Sequence, residues 1–339
     1  LLQQVWGLQI PQRPRLDVEL TRKMPSKLGQ EEFLRLSIGQ VEGKWMGTPL
    51  ARGAGLITSL CRAQGVARIP ADCEGVSARE KLSTELLVPW QELQRVLVCV
   101  GSHDNILDLL ANELMGLSEP IRLASTHVGS MAGITALQNK SAHMAGMHLF
   151  DPESQDFNFP FLRKYLPDRE IQVVNLAIRE QGFILPKGNP KNIQGLKDLL
   201  RQDVRFINRQ RGSGTRILLD HHLRQQGLDP RQIQGYQQEE YTHMAVAVNV
   251  LNKSADCGLG IKAAAQALEL NFLPLARERY DLVLPAESLQ QQNIQTMLEL
   301  LQSSTFKEKI QNLGGYQTSL TAKVMQPGQG LPEENHSGS

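Results

Sequence analysis

Residues 95–116 read RVLVCVGSHDNILDLLANELMG, and the fold of the larger part of the chain turns on that stretch. The β-branched run from Val96 predicts a strand, Gly101-Ser102 a turn, and the residues beyond it a helix. The same grammar returns in PIRLASTHVGSMAGITALQNK at 120–140 and in VRFINRQRGSGTRILLDHHLRQQG at 204–227. It returns once more in YTHMAVAVNVLN at 241–252, followed by SADCGLGIKAAAQALEL at 254–270. HMAGMHLF at 143–150, QVVNLAIRE at 172–180 and RERYDLVLP at 277–285 add further strands, and helices are expected at 288–301 and 305–313. Alternation of this kind predicts a mostly parallel sheet with helices on both faces and right-handed crossovers.

Upstream the pattern differs. Between residues 14 and 88 the apolar runs are short and cut by Gly and Pro, as in RLDVELTR, EEFLRLSIG, GVARIPAD and KLSTELLVP. This predicts a small β-rich domain, with a brief helix only around Ile57–Ala63 and a linker at 89–95. Residues 321–339, rich in Gly, Pro, Ser and Glu, read as a loose tail.

The composition narrows the function classes. With 339 residues, 41% apolar, 21% charged and a formal net charge of +1, the chain has room for two or three domains and no general grip on nucleic acid. Cys61, Cys73, Cys99 and Cys257 show no CxxC spacing and read as buried thiols of a reducing compartment. No run has the length of a membrane span, and LLQQVWGLQIPQRP lacks a cationic flank and signal core, so a cytoplasmic location is expected. The start without methionine is read as the mark of a longer parent or of processing.

In open α/β sheets ligands sit where strands enter helices. Four loops of that kind carry hydroxyls with glycine or histidine beside them: Ser102-His103; Thr126-His127 with Gly129-Ser130; Arg211-Gly212-Ser213-Gly214-Thr215; and Thr242-His243. Helix amino ends carry unpaired N–H groups and positive potential, glycine lets the backbone come close, and hydroxyls add donors. Capping alone explains a hydroxyl at a helix start, notably Ser102 and Thr242. The 211–215 loop asks for more, because capping needs one hydroxyl and no arginine. Asp104 is expected to cap and to repel an anion. The lysine of a phosphate-binding P-loop and the dinucleotide fingerprint are both missing. His221 and His222 are expected on a solvated helix face. His103, His127 and His243 are candidates to converge on a ligand. No metal ligand is assigned, and a zinc site built from them is the minor alternative, since no carboxylate or cysteine accompanies them at ligand spacing in the sequence. No Ser-His-Asp order supports nucleophilic catalysis.

From Val96 to about Gly315 these residues resemble a type II periplasmic-binding-protein fold. TupA-like and ModA-like oxyanion-binding proteins have a comparable threonine-serine loop and an Arg-Gly-x-Ser-Gly-Thr-like loop, here Thr126–Ser130 and Arg211–Thr215. The resemblance implies two lobes, 96–176 with 274–315 and 180–268, and crossings at 174–182 and 268–276. LysR-type regulators use the same fold for effector domains, so the ligand stays open. Residues 12–88 resemble the carboxy-terminal β-domain (domain IV) of MoeA, the molybdenum-inserting enzyme, on Arg13-Pro14, EEFLRLSI, ARGAGLITSLCRAQG, and IPADCEG followed by ELL. Residues 1–11 resemble the end of the domain before it.

Together the resemblances imply a multidomain chain: a small all-β domain followed by a two-lobed α/β type II periplasmic-binding-protein-like fold. They imply a cytoplasmic binding module for molybdate or tungstate, attached to a molybdenum cofactor biosynthesis protein. Molybdopterin and Mg would belong to the full-length parent, with its amino-terminal MoeA-like domains as partners and no cofactor in this chain. Two alternatives stay open. One is a piece of a molybdopterin molybdotransferase whose β-domain, with Arg52 and Ser59, completes a partner's pocket in a homodimer. The other is an effector domain for an organic ligand, which lacks a helix-turn-helix of its own.

Overall fold

In a computed structural model the described residues are 13–50 and 62–331. The expected remnant at 1–11, the helix near Ile57, Arg52, Ser59, Cys61 and the last eight residues lie outside them.

Five strands close into a barrel in the order Arg15–Leu20, Lys44–Pro49, Glu32–Val41, Gly65–Ile69, Lys81–Leu86. Arg15–Leu20 seals it, running parallel to Lys44–Pro49 and antiparallel to Lys81–Leu86. Period-two alternation sends Val18, Leu20, Leu34, Leu36, Ile38, Ala67 and Ile69 inward, where they are fully buried. The expected linker is instead a packed helical turn, Trp90–Leu93. Leu93 is buried in the barrel core and Trp90 meets Trp45 edge-on at 4.7 Å.

Beyond it lies an α/β unit of two lobes. In the first, Val96–Gly101 and Arg122–His127 run parallel in full register, followed by Ala145–Met147. Val100 and Ser102 donate backbone N–H groups to Met144 and Gly146, which joins these strands to the sheet. In the second, Phe206–Arg209 lies parallel to both Cys257–Ile261 and Glu239–Glu240. Two 15-residue strands, Ile171–Leu185 and Asn271–Pro285, run antiparallel through both lobes. Ala145–Met147 pairs with 281–283 on the first-lobe side, and Cys257–Ile261 with 181–184 on the second. The crossings therefore centre on 176–180 and 277–280. The second comes later than the expected 268–276, because the whole of Asn271–Ala276 pairs inside lobe two.

The tail is corrected as well. Residues 321–331 return across the first lobe: Ala322 and Met325 donate N–H groups to Asn175 and Val173, and Met325 is buried. The carbonyl of Gln329 accepts from Arg279. Composition pointed to a loose tail, but edge pairing of the first crossing strand holds this segment.

Barrel and first lobe share an apolar joint. Leu97 and Cys99 face the core of the α/β unit, whereas Val96, Val98 and Val100 on the opposite face pack with Val41 and Met46 of the barrel. Gly39 allows the approach, since a Cβ there would stand 2.9 Å from Val98 Cγ2 and 3.1 Å from Val96 Cγ1. Polar ties ring the joint: Arg79 to Asn139 at 2.8 Å, and Glu42 to Arg169 and Lys140. Gly39→Leu is expected to cost about 1–3 kcal/mol by overpacking. Denaturant unfolding reads the loss, and hydrogen exchange should rise together in 32–49 and 96–101.

Candidate functional site

Where the strands cross, charge is buried. Arg179 and Glu278 are register partners on the two crossing strands and form an ion pair. Arg179 also pairs with Asp104, and its side chain is 0% exposed. Asp104 caps the helix Asn105–Met115, accepting from the Ile106 N–H at 2.8 Å, and accepts from the Tyr316 hydroxyl at 3.0 Å. Burial alone would raise the Glu278 carboxyl. Arg179, His148 and Gln181 more than offset it, and the carboxyl is held down at about 2. Burial also works against the charge of Arg179, and Glu278 and Asp104 restore it.

Because Glu278 is ionised, His148 Nδ1 is the donor to it at 3.1 Å. Burial pushes the imidazole down towards its neutral form, so Nε2 accepts from the Ser102 hydroxyl at 2.7 Å. Ser102, His148 and Glu278 thus stand in the order of a nucleophilic triad that no reading of sequence order revealed. Ser102 is only 4% exposed, however, and Arg179 already neutralises Glu278. The relay orients the Ser102 loop.

The second lobe closes on this centre. A Cβ on Gly214 would strike His148 Nδ1 at 2.2 Å, so the helix Gly214–Gln225 starts directly against that ring. Thr215 accepts from Gln181 Nε2 at 3.0 Å. Arg209, the last residue of its strand and 3% exposed, donates to the carbonyls of Glu240 and Tyr241. Burial, then the charge of Arg179, push its guanidinium down to about 10. His243 is 2% exposed, and burial followed by the charges of Arg209 and Arg179 keeps it neutral. Arg179 Nη2, Arg209 Nη1 and both His243 nitrogens are buried with no hydrogen-bond partner.

The expected site residues divide accordingly. Ser102, Ser130, Ser213, Gly214, Thr215 and His243 lie buried along the meeting line of the lobes. Ser213 caps its helix, accepting from the Arg216 N–H at 3.2 Å, and Thr242 caps the next, accepting from Ala245 at 3.0 Å. Ser130 accepts from the His148 N–H at 3.4 Å. A hydroxyl that accepts from N–H keeps its own proton to donate, so Ser130, Ser213, Thr215 and Thr242 remain donors. Thr126 is turned to the barrel, its hydroxyl 3.0 Å from that of Thr21. Gly129, with φ +88°, starts the uncapped helix Ser130–Gln138, and a Cβ there would lie 3.7 Å from Gln210 of the other lobe.

Arg211 and Gly212 are exposed. Arg211 binds Gln237 at 2.7 Å and lies 3.5 Å from Glu239, so the arginine that reaches the cleft from this loop is Arg209. Arg216 stacks on Tyr236 at 3.9 Å and pairs with Asp220. His221 and His222 are half-buried rather than solvated, and line a cavity of about 490 Å³ with Phe150, Phe157 and Leu218 that reaches Glu278. His103 and His127 meet edge-on at 4.4 Å, and a carboxylate does accompany them: Asp108 Oδ2 lies 3.1 Å from His103 Nε2. Arg179, Gln181, His148 and Glu278 were missed. The available signal was the polar triplets Arg179-Glu180-Gln181 and Arg277-Glu278-Arg279 inside otherwise apolar strands.

A carboxyl held below its unfolded value stabilises the fold above that value, and the contribution is lost as pH falls through the folded one. Glu278→Gln is therefore expected to cost about 3 kcal/mol near neutrality. In acid unfolding series the gap to the parent should close between about pH 4.5 and 2.

Comparison with known proteins agrees with this architecture. Residues 111–302 match the family model of the PBP superfamily domain, and residues 17–87 that of the MoeA C-terminal region (domain IV). The uncharacterized protein YvgK of Bacillus subtilis (strain 168) is 34% identical over 228 residues, 67% of this chain and 73% of its own. An uncharacterized protein in the ferredoxin 2Fe-2S gene 5′ region of Clostridium pasteurianum is 38% identical over 110 residues, 32% of this chain and 97% of its own. Among solved structures, the tungstate ABC transporter from Geobacter sulfurreducens aligns with 12% identity and a TM-score of 0.48, over 64% of this chain and 98% of that one. An ABC-type phosphate transport receptor from Vibrio cholerae aligns with 16% identity and a TM-score of 0.44, over 65% and 98%. The chain belongs to the PBP superfamily domain family, and carries that domain behind a barrel that matches domain IV of MoeA.

Proposed function

We propose that the cleft between the lobes binds a small oxyanion, or the anionic head of a small polar ligand. The observation that carries this reading is Arg209: a buried guanidinium hydrogen-bonded to neutral carbonyls, with one nitrogen unpartnered and the charge of Arg179, itself unpartnered at Nη2, acting on it. A buried donor without an acceptor costs about 1–3 kcal/mol, more when charged, and an anion between the lobes removes that cost. The spare protons of Ser130, Ser213, Thr215 and Thr242 and the uncapped N–H groups after Gly129 add donors without further charge. Molybdate and tungstate, tetrahedral dianions with no proton to give, suit a pocket of donors, and the adjoining MoeA-like barrel favours them over phosphate and sulfate. In this reading the chain is the cytoplasmic sensing or delivery part of a molybdenum cofactor protein.

A second reading keeps the anion contacts and adds an organic body. The 490 Å³ cavity at Phe150, Phe157, Leu218 and the His221-His222 pair adjoins Glu278 and Gly214, and offers apolar walls to a larger effector.

Calorimetric titration of the chain with molybdate, tungstate, phosphate and sulfate separates these cases. Arg209→Met is expected to weaken anion binding by about tenfold or more, whereas Arg211→Ala leaves it within about twofold. Failure of all four anions to bind at millimolar concentration overturns the oxyanion reading. Equal loss in the two variants would move the site to the exposed side of the loop.

A further inference from the structure

We propose that His103, Asp108 and His127, at the outer lip of the first lobe, form a binding site for a divalent transition metal of the zinc class. The site does not rest on the anion reading of the cleft: its three side chains all belong to the first lobe. Each offers a ligand atom, and these atoms lie within 4.8 Å of one another. Two imidazoles and a carboxylate suit zinc, cobalt and nickel better than the oxygen-seeking magnesium or calcium.

The three side chains rise from three different segments of fixed backbone. His103 precedes the capping residue Asp104, which Arg179 and Tyr316 lock in place. Asp108 stands in the first turn of the helix Asn105–Met115. His127 ends the strand Arg122–His127, paired in register with Gly101, and the next two N–H groups, of Val128 and Gly129, both donate to the Gly101 carbonyl. Ligands on such a base need little ordering to close on an ion. The ordinary alternative is a surface contact, in which His103 pairs with Asp108 and touches His127 by its ring edge. That alternative accounts for the pair but gives no stoichiometric metal affinity. Three protein ligands leave a fourth tetrahedral position, as in zinc sites that keep a water or an exchangeable anion. Arg22 of the barrel acts electrostatically on His127 and works against a bare cation, which favours an ion that carries an anion in that position.

The test is calorimetric titration of the chelator-stripped full chain with Zn²⁺, with Co²⁺ absorption as an independent reading of ligand geometry. A single equivalent with micromolar or tighter affinity is expected, unaffected by millimolar Mg²⁺. His103→Ala and His127→Ala should each weaken it by about tenfold or more, Asp108→Asn should weaken it as well, and the paired His221→Ala/His222→Ala variant should bind like the parent. Thermal unfolding of each metal-free variant checks that the fold is kept. Millimolar binding by the parent, or unchanged affinity and stoichiometry in the His103→Ala/His127→Ala double variant, overturns the site.

Discussion

Arg179 sits where the two lobes, the two crossing strands and the loops at the meeting line all depend on a single charge. Its guanidinium joins Asp104, which starts a first-lobe helix, to Glu278, which lies on the opposite crossing strand. Glu278 then fixes His148 and Gln181; His148 fixes Ser102, and Gln181 reaches Thr215 in the second lobe. Removal of the guanidinium would leave two buried carboxylates uncompensated, a change worth roughly 3–5 kcal/mol for a buried pair. Well-packed apolar groups in place of a whole buried ion cluster typically cost a fold little, so the value of this one lies in where it places the loops. Arg209 is the complement: a buried cation whose own hydrogen bonds are neutral, set where the lobes meet.

The barrel belongs to the same mechanical unit. Its apolar joint lies on the back of the strand whose end carries Ser102, and its Thr21 holds Thr126, the residue before His127. A short, mostly apolar set of contacts thus connects the first-lobe loops to the barrel.

Much of the architecture was legible in the sequence, because strand-turn-helix alternation has a strong periodic signature. The centre of the site was less so. Arg179, Gln181 and Glu278 lie in mid-strand, where a charged residue is ordinarily read as an outward-facing position. Only the pairing of two long strands, settled by tertiary register, puts them face to face in the interior. Arg211 adjoins the glycine turn and so reads as the ligand arginine of its loop, but beside Gly212, at φ +81°, its side chain is exposed. The His103–Asp108–His127 cluster needed the parallel pairing of two strands before its members came together. The docking of the barrel was hidden for a similar reason: Val96, Val98 and Val100 look like one face of a strand buried in its own sheet, whichever neighbour covers it.

The most direct test of the account is the position of a heavy anion. Crystals grown with tungstate would locate it by anomalous scattering without any assumption about its contacts. A single strong peak is expected between the lobes, within hydrogen-bond reach of the guanidinium groups of Arg179 and Arg209. A peak beside exposed Arg211, or no ordered anion in the cleft at saturating concentration, would contradict it.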